Sequence, residues 1–433
     1  MLNFNFKSFK IKTNPWQYLV LSFCLLIAFG TGLLLMPFVH HTQNLHFVDA
    51  LFMSTSAVCV TGLATVPTSG FNIAGQLSLL LLMQLGAIGI MTLTSSFLIS
   101  LKGNLKLKHR LNFSKLQDNY DLHDANYILK NIVKITLVTE LIGAIFLSIG
   151  FLLEGLPFGS AIYQGFFHAI SAFCNAGFST YDSSIMGLNP LIKYTVSILI
   201  TIGGIGYFVL FELLENRKNK RKLSLHTKIV LISSVALMVL GTVFLYIFEQ
   251  GNMSITDSFF QSVTTRTAGF NSVDLTKLHM PSIFLMLILM FIGASPGSTG
   301  GGIKTTNFFV IVFSVITVLK GGTKVVLFNR TISYRYILKA FATAMIYFVV
   351  ISVGVVLLLQ DDNVRFEEAI FECVSAMGTV GLSLGITPYF SEMGKLIIVA
   401  LMFIGRLGPS SFAMATLLQE KQVRIQYPEG TIY

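Results

Sequence analysis

Charge is what this sequence has least of. Only 12% of its 433 residues are charged while 53% are hydrophobic, whereas an ordinary soluble domain carries about 25% charged side chains. That balance excludes a soluble fold. Cysteine is scarce too: Cys24, Cys59, Cys174 and Cys373 all fall in or beside apolar segments, with no CxxC spacing. Neither a disulfide framework nor a zinc site is supported. Histidine is sparse and scattered, with His168 alone lying deep in an apolar stretch. No paired acid–base or metal-ligand spacing appears, so the sequence gives no sign of an enzyme.

What fills the chain instead is a series of apolar runs. At roughly 20 residues per crossing of a ~30 Å hydrocarbon layer, they predict eight spans: 17–38, 76–101, 132–153, 189–211, 228–248, 281–291 continuing as 303–319, 336–359 and 395–418. The first is too long for a secretory signal, and no small-residue cleavage site follows it. An even number of spans puts both termini on one side. Lys7, Lys10 and Lys12, the segments 102–134, 217–228 and 320–339, and Lys421 and Arg424 concentrate positive charge on that side; only Lys193, Lys277, Arg365 and Lys395 stand opposite. Cytoplasmic loops hold such an excess, so both termini are expected in the cytoplasm of a multi-pass cell-membrane protein. The net charge of +10 then reflects topology and anionic lipid headgroups, and no nucleic-acid partner is needed.

The spans pair into four copies of one unit. Between successive members of each pair lies a short apolar run (47–57, 161–173, 255–263, 366–377), then a small-residue turn with glycine, then a polar exit. Aligned without gaps, the turns read SAVCVTGLATV (56–66), SAFCNAGFSTY (171–181), VTTRTAGFNSV (263–273) and SAMGTVGLSLG (375–385). The short runs suit re-entrant helices, and irregular backbone at membrane depth survives only where protein buries it or water lines it. A single small-x-small turn is equally a helix-packing notch; four copies entering from one side argue for a shared aqueous path. A cation leaving water needs its hydration shell replaced, which backbone carbonyls can do. Aiming neighbouring carbonyls down one axis requires unusual φ, which glycine accepts. The expected ion-coordinating backbone is therefore Val60, Thr61 and Gly62; Asn175, Ala176 and Gly177; Thr267, Ala268 and Gly269; and Thr379, Val380 and Gly381, with the bound cation at the four glycines.

This repeated helix–pore loop–helix unit, with TTRTAGFNSVD in its third copy and one glycine per loop, resembles the Trk/Ktr/HKT superfamily of potassium transporters, and within it the bacterial Ktr membrane subunit. The resemblance covers nearly the whole chain. It implies an all-α membrane protein of eight transmembrane helices plus four re-entrant pore helices around a pseudo-fourfold axis, with units at 1–110, 111–222, 223–325 and 326–433. It also implies assembly as a homodimer, K+ uptake often with Na+ dependence, and gating by a cytosolic ring of RCK-type nucleotide-binding subunits. Glycine at all four filter positions is that superfamily's K+-selective pattern. The flanks of the glycines differ from copy to copy, so only one tight site near them is expected.

The sixth span is broken by GASPGSTGGGIKTT (293–306). Four glycines around Pro296 cannot hold a regular helix, and Ile303 spoils the phosphate-loop pattern. A plain kink is one reading. The sharper one is a gate beneath the filter made of Ser295, Gly297, Ser298, Thr299, Gly300, Gly301 and Gly302, with Lys304 competing electrostatically with a permeating cation. Two arginines also lie in apolar territory. Arg266 is expected to turn behind the filter and donate to loop carbonyls or to Asp257, Glu249 or Glu372. Arg406 either faces the inner cavity as a second brake or anchors helices through a carbonyl or the chain terminus. Asn175 is expected to bond the neighbouring loop, and Cys59 and Cys174 to be small buried residues. Two other classes compete: a secondary transporter for an organic solute or anion built of broken helices, and a membrane enzyme using Lys304 or the histidines.

Overall fold

The computed structural model describes residues 15–40, 45–103, 125–219, 223–361 and 363–408. Lys7, Lys10 and Lys12, the 104–124 and 220–222 parts of the basic segments, and the 409–433 tail with the end of the eighth expected span lie outside the described residues.

A long–short–long order of helices recurs four times. The first group is α1 (Pro15–Leu34), α2 (Phe47–Val58) and α3 (Ile73–Gly103); the second is α4 (Ala125–Leu153), α5 (Phe158–Cys174) and α6 (Pro190–Ile205), which runs on into α7 (Tyr207–Asn219). The third comprises α8 (Leu225–Phe248), α9 (Ile255–Thr264), α10 (Met280–Phe291) and α11 (Thr305–Leu319), and the fourth α12 (Tyr334–Leu358), α13 (Phe366–Gly378) and α14 (Glu392–Leu407). Helix starts are written locally. The side chains of Asn189, Ser224, Ser254 and Ser391 accept from the backbone N–H three residues on, opening α6, α8, α9 and α14, which satisfies donors that the helix itself leaves free. Between α11 and α12, β1 (Val326–Leu327) and β2 (Arg330–Thr331) form a small antiparallel hairpin with Val326 opposite Thr331. Its turn residues Phe328 and Asn329 take φ of 49° and 61°, the left-handed pair a two-residue hairpin turn requires.

Burial runs inside-out relative to a water-soluble protein. The short helices are the centre: Ser54, Thr55 and Ser56 of α2, Ser171 of α5, Ser262 and Thr264 of α9 and Ser375 of α13 are all buried. The long helices turn Leu137, Leu141, Ile145, Val239, Phe348 and Val353 outward, a surface suited to hydrocarbon rather than water. Lys130–Leu153, α8 and α12 are each long and apolar enough to cross a membrane, and α6 with α7 makes a fourth if the pair is counted as one span. One expectation needs correcting. The 189–211 run is not one straight span, because α6 and α7 meet at 96° around Gly206, whose φ is 93°. In the last apolar run α14 closes at Leu407, where Gly408 takes φ 81°.

Candidate ion pathway

Each short helix ends in a tight turn that returns the chain toward the middle of the bundle. In the first, second and fourth copies the residue before the filter glycine donates its N–H five residues back: Thr61 to Ser56 O, Ala176 to Ser171 O and Val380 to Ser375 O, each at 2.8 Å. The third copy closes differently, with Ala268 and Gly269 both donating to Thr264 O at 2.9 and 3.4 Å. All four loops nevertheless reach one backbone form. The filter glycines take left-handed φ (Gly62 97°, Gly177 70°, Gly269 82°, Gly381 94°), and so do the residues two before them (Val60 55°, Asn175 60°, Thr267 75°, Thr379 49°). Left-handed φ alternating with ordinary φ turns successive peptide groups to one side of the chain, the arrangement a carbonyl-lined site needs.

The four loops meet in cyclic order. An ideal Cβ on Gly62 would lie 2.4 Å from Ala176 O, one on Gly177 2.5 Å from Ala268 O, one on Gly269 2.5 Å from Val380 O, and one on Gly381 2.1 Å from Thr61 O. Every glycine is thus seated against the carbonyl that precedes the glycine of the next copy, and the fourth copy closes on the first. The structure brings together all twelve residues expected to bind the ion. The hydroxyls of Thr61, Thr267 and Thr379 are buried and make no hydrogen bond among the described residues.

Behind the ring the copies differ. Gly62 N–H donates to Ser56 Oγ at 3.0 Å and Gly381 N–H to Ser375 Oγ at 3.1 Å, while Ser171 Oγ donates to Phe178 O at 2.8 Å. The third copy has Val263 in that place, and its neighbour Arg266 turns away from the ring, donating to Ser234 O at 3.0 Å and Ser234 Oγ at 3.4 Å on α8. Its expected partners are therefore corrected: Asp257 binds Lys193 at 2.6 Å, Glu249 lies 3.3 Å from His279, and Glu372 accepts from Ser383 and Thr387. A helix carbonyl near the guanidinium offers what a distant acid would have supplied. Asn175 likewise faces α6 and its own short helix rather than the next loop: with the amide turned so that its nitrogen meets the surrounding carbonyls, it donates to Ile200 O at 3.2 Å and to Ala172 O at 3.0 Å. Cys59 and Cys174 are buried free thiols, and Cys174 Sγ donates to Gln84 Oε1 at 3.1 Å.

The second long helix of each group packs on its own short helix through a glycine. Ideal Cβ atoms on Gly86, Gly203 and Gly405 would lie 2.0, 2.1 and 2.1 Å from the carbonyls of Val58, Phe173 and Met377. In the third group the matching Gly293 faces Gly301 O at 2.1 Å instead, because here the helix has opened. Residues 292–304 leave α10 and return to α11 through a neck in which Gly293 N–H donates to Ile303 O at 2.9 Å and Ala294 N–H to Gly301 O at 3.1 Å. The excursion lodges under the ring: Cβ atoms on Gly300 and Gly301 would lie 2.1 Å from Thr267 Oγ1 and 2.3 Å from Thr379 Oγ1. It is also tied to the second group, where Ser295 N–H donates to Gly204 O, Thr299 N–H to Gly203 O and Tyr207 N–H to Gly297 O at 3.0–3.2 Å. Lys304 Nζ folds back to Gly300 O at 2.8 Å and Gly301 O at 3.5 Å. Of the two readings of Arg406, the structure gives carbonyl pairing, with one nitrogen donating to Thr299 O and another to Gly86 O at 3.1 Å. Ser298 Oγ donates to Ser295 O at 2.6 Å inside the excursion.

A family model described as "Cation transport protein" (TrkH) matches residues 12–425. The chain is 37% identical over 98% of its length to the Ktr system potassium uptake protein B of Bacillus subtilis, covering 97% of that protein. It is 33% identical over 98% of both chains to the potassium/sodium uptake protein NtpJ of Enterococcus hirae. Among solved structures, the potassium transporter TrkH from Vibrio parahaemolyticus shares the fold at a TM-score of 0.76, over 94% of this chain and 86% of that one, with 19% identity.

Proposed function

The chain belongs to the TrkH family of cation transport proteins, a family of membrane transporters and not of enzymes, and from that premise we propose that it takes up K+ across the bacterial cell membrane through the four-glycine ring. The observation that carries this reading is the closed cycle in which each glycine abuts the preceding carbonyl of the next copy. Such a ring offers peptide oxygens in place of water and carries no fixed negative charge that would trap the ion. The short helices α2, α5, α9 and α13 bring their partially negative C-terminal ends toward the ring. The names of the relatives support K+ as the transported ion, and NtpJ supports a role for Na+ beside it.

In this reading the four groups are helix–pore helix–helix units at 1–110, 111–222, 223–325 and 326–433, with eight spans and both termini in the cytoplasm. The twelve ring residues coordinate the ion, Arg266 holds the third loop from behind, and the 293–306 segment obstructs the path beneath the ring, held by Lys304 and Arg406. A homodimer and a cytosolic nucleotide-binding regulatory ring complete the assembly; the relatives named for a Ktr system support a regulatory partner.

Rubidium uptake in K+-starved cells tests the function. The chain should support it, and Gly269→Ser should lower K+/Na+ discrimination. Uptake of an organic solute, indifferent to that change, would favour the secondary transporter instead. Deleting part of 297–302 should raise flux; an unaltered flux would count against a gate.

A further inference from the structure

Two copies of the pore loop carry a buried polar strut that the other two lack. Nine residues before the filter glycine, on the short helix, stand Met53, His168, Phe260 and Glu372; two residues after the glycine stand Ala64, Ser179, Asn271 and Ser383. In the second copy His168 is fully buried and its Nε2 lies 2.9 Å from Ser179 Oγ. In the fourth, fully buried Glu372 accepts from Ser383 Oγ. The serine is used alike in both: it accepts the N–H two residues further on, from Tyr181 at 3.1 Å and from Gly385 at 2.8 Å. Met53 and Phe260 are buried apolar side chains and form no such bond.

Each strut is anchored at its helix end. His168 Nδ1 lies 2.9 Å from Gln164 O. A carbonyl only accepts, so Nδ1 carries a proton; in the neutral ring Nε2 then accepts from the Ser179 hydroxyl, which lies 2.9 Å from it and 3.3 Å from the alternative acceptor Ser184 O. Thr387 Oγ1 lies 3.1 Å from both carboxylate oxygens of Glu372 and 2.9 Å from Ser383 Oγ, so its single hydroxyl proton is shared within this cluster. Because the loops follow one another around the ring in chain order, copies two and four face each other across it. The struts therefore lie on one diagonal, and the apolar positions lie on the other.

We infer that His168 and Glu372 are positioning residues for ion selection, fixing the chain just beyond Gly177 and Gly381 so that the ring resists contraction along the second–fourth diagonal. Na+ is the smaller ion and binds oxygens at shorter range, so a ring held open on one diagonal disfavours it relative to K+. The inference rests on the K+ reading above and adds which buried side chains set the discrimination.

The test is K+ against Na+ uptake by the purified full-length chain in liposomes. Glu372→Ala, Ser383→Ala, His168→Ala and Ser179→Ala should each lower the K+/Na+ ratio by roughly five- to tenfold, the effect of losing one buried hydrogen bond. Glu372→Gln, which can still accept from the serine, should keep most of the ratio. Met53→Ala and Phe260→Leu should lower Tm yet hold the ratio within about twofold, since they remove packing alone. If Ser383→Ala and Ser179→Ala, which each delete a single oxygen, give folded protein with the unaltered ratio, the struts have no part in selection. A parent chain with no preference for K+ would sink the K+ reading itself, whereas a selective parent whose ratio falls in Gly269→Ser but not in the strut variants would sink only this inference.

Discussion

The ring and the second long helices behind it come from the same four copies, yet they treat repetition oppositely. At the ring, Val-Thr-Gly, Asn-Ala-Gly, Thr-Ala-Gly and Thr-Val-Gly converge on one backbone with left-handed φ at the first and third residues. In the second helices the copies part company. α3 continues unbroken past Gly86, α6 turns through 96° at Gly206, the third group opens into 292–304, and α14 ends at Gly408. Coordination by peptide oxygens is indifferent to side-chain identity, so divergent sequences can reach the same geometry. Obstructing a path needs only one copy to depart, and a departure in one copy is what tandem copies within a single chain allow.

The contrast can be broken most decisively at Gly381. Its substitute Cβ would stand 2.1 Å from Thr61 O at a φ of 94°, so Gly381→Ala should reduce rubidium uptake at least about tenfold, given the backbone strain and the lost oxygen geometry. Normal selective uptake would show that the ring does not coordinate the ion. Next in size is Gly405→Ala, whose Cβ would meet Met377 O at 2.1 Å where α14 packs on its own short helix behind the ring. It should cost about 1–3 kcal/mol of stability through overpacking, visible as a lower Tm, while the selectivity of the surviving protein persists. Gly206→Ala sharpens the other side, because its Cβ would approach Pro296 O at 2.6 Å and disturb the seat of the 292–304 excursion. Flux should change severalfold with the K+/Na+ ratio unaltered. The smallest effect on transport is expected from Lys193→Met at the largely buried Lys193–Asp257 pair at the edge of the bundle, about 1–3 kcal/mol in chemical unfolding, with transport retained.

The repeat was legible because its glycines are spaced along the chain and its flanking runs change from apolar to polar. The interruption of the sixth span was legible for the same reason: glycine and proline are backbone statements made in the sequence. Left-handed φ at Val60, Thr267 and Thr379 was not, since β-branched residues ordinarily avoid that region and only the surrounding short helices and neighbouring loops impose it. Neither was the bend at Gly206, where GGIG reads as a close-packing helix until the excursion from another group is placed against it. Arg266 illustrates a third limit. A sequence displays charged partners readily but conceals backbone carbonyls, and the guanidinium found Ser234 O. The struts at His168 and Glu372 were readable only after alignment on the glycines, because a histidine and a glutamate in one column look unrelated until both are found bonded to serine.

Closure of the cycle by Gly381 against Thr61 O joins the last quarter of the chain to the first. A ribosome must therefore finish nearly the whole protein before the circle can exist, and a nascent chain with three quarters inserted presents an open arc that cannot surround an ion.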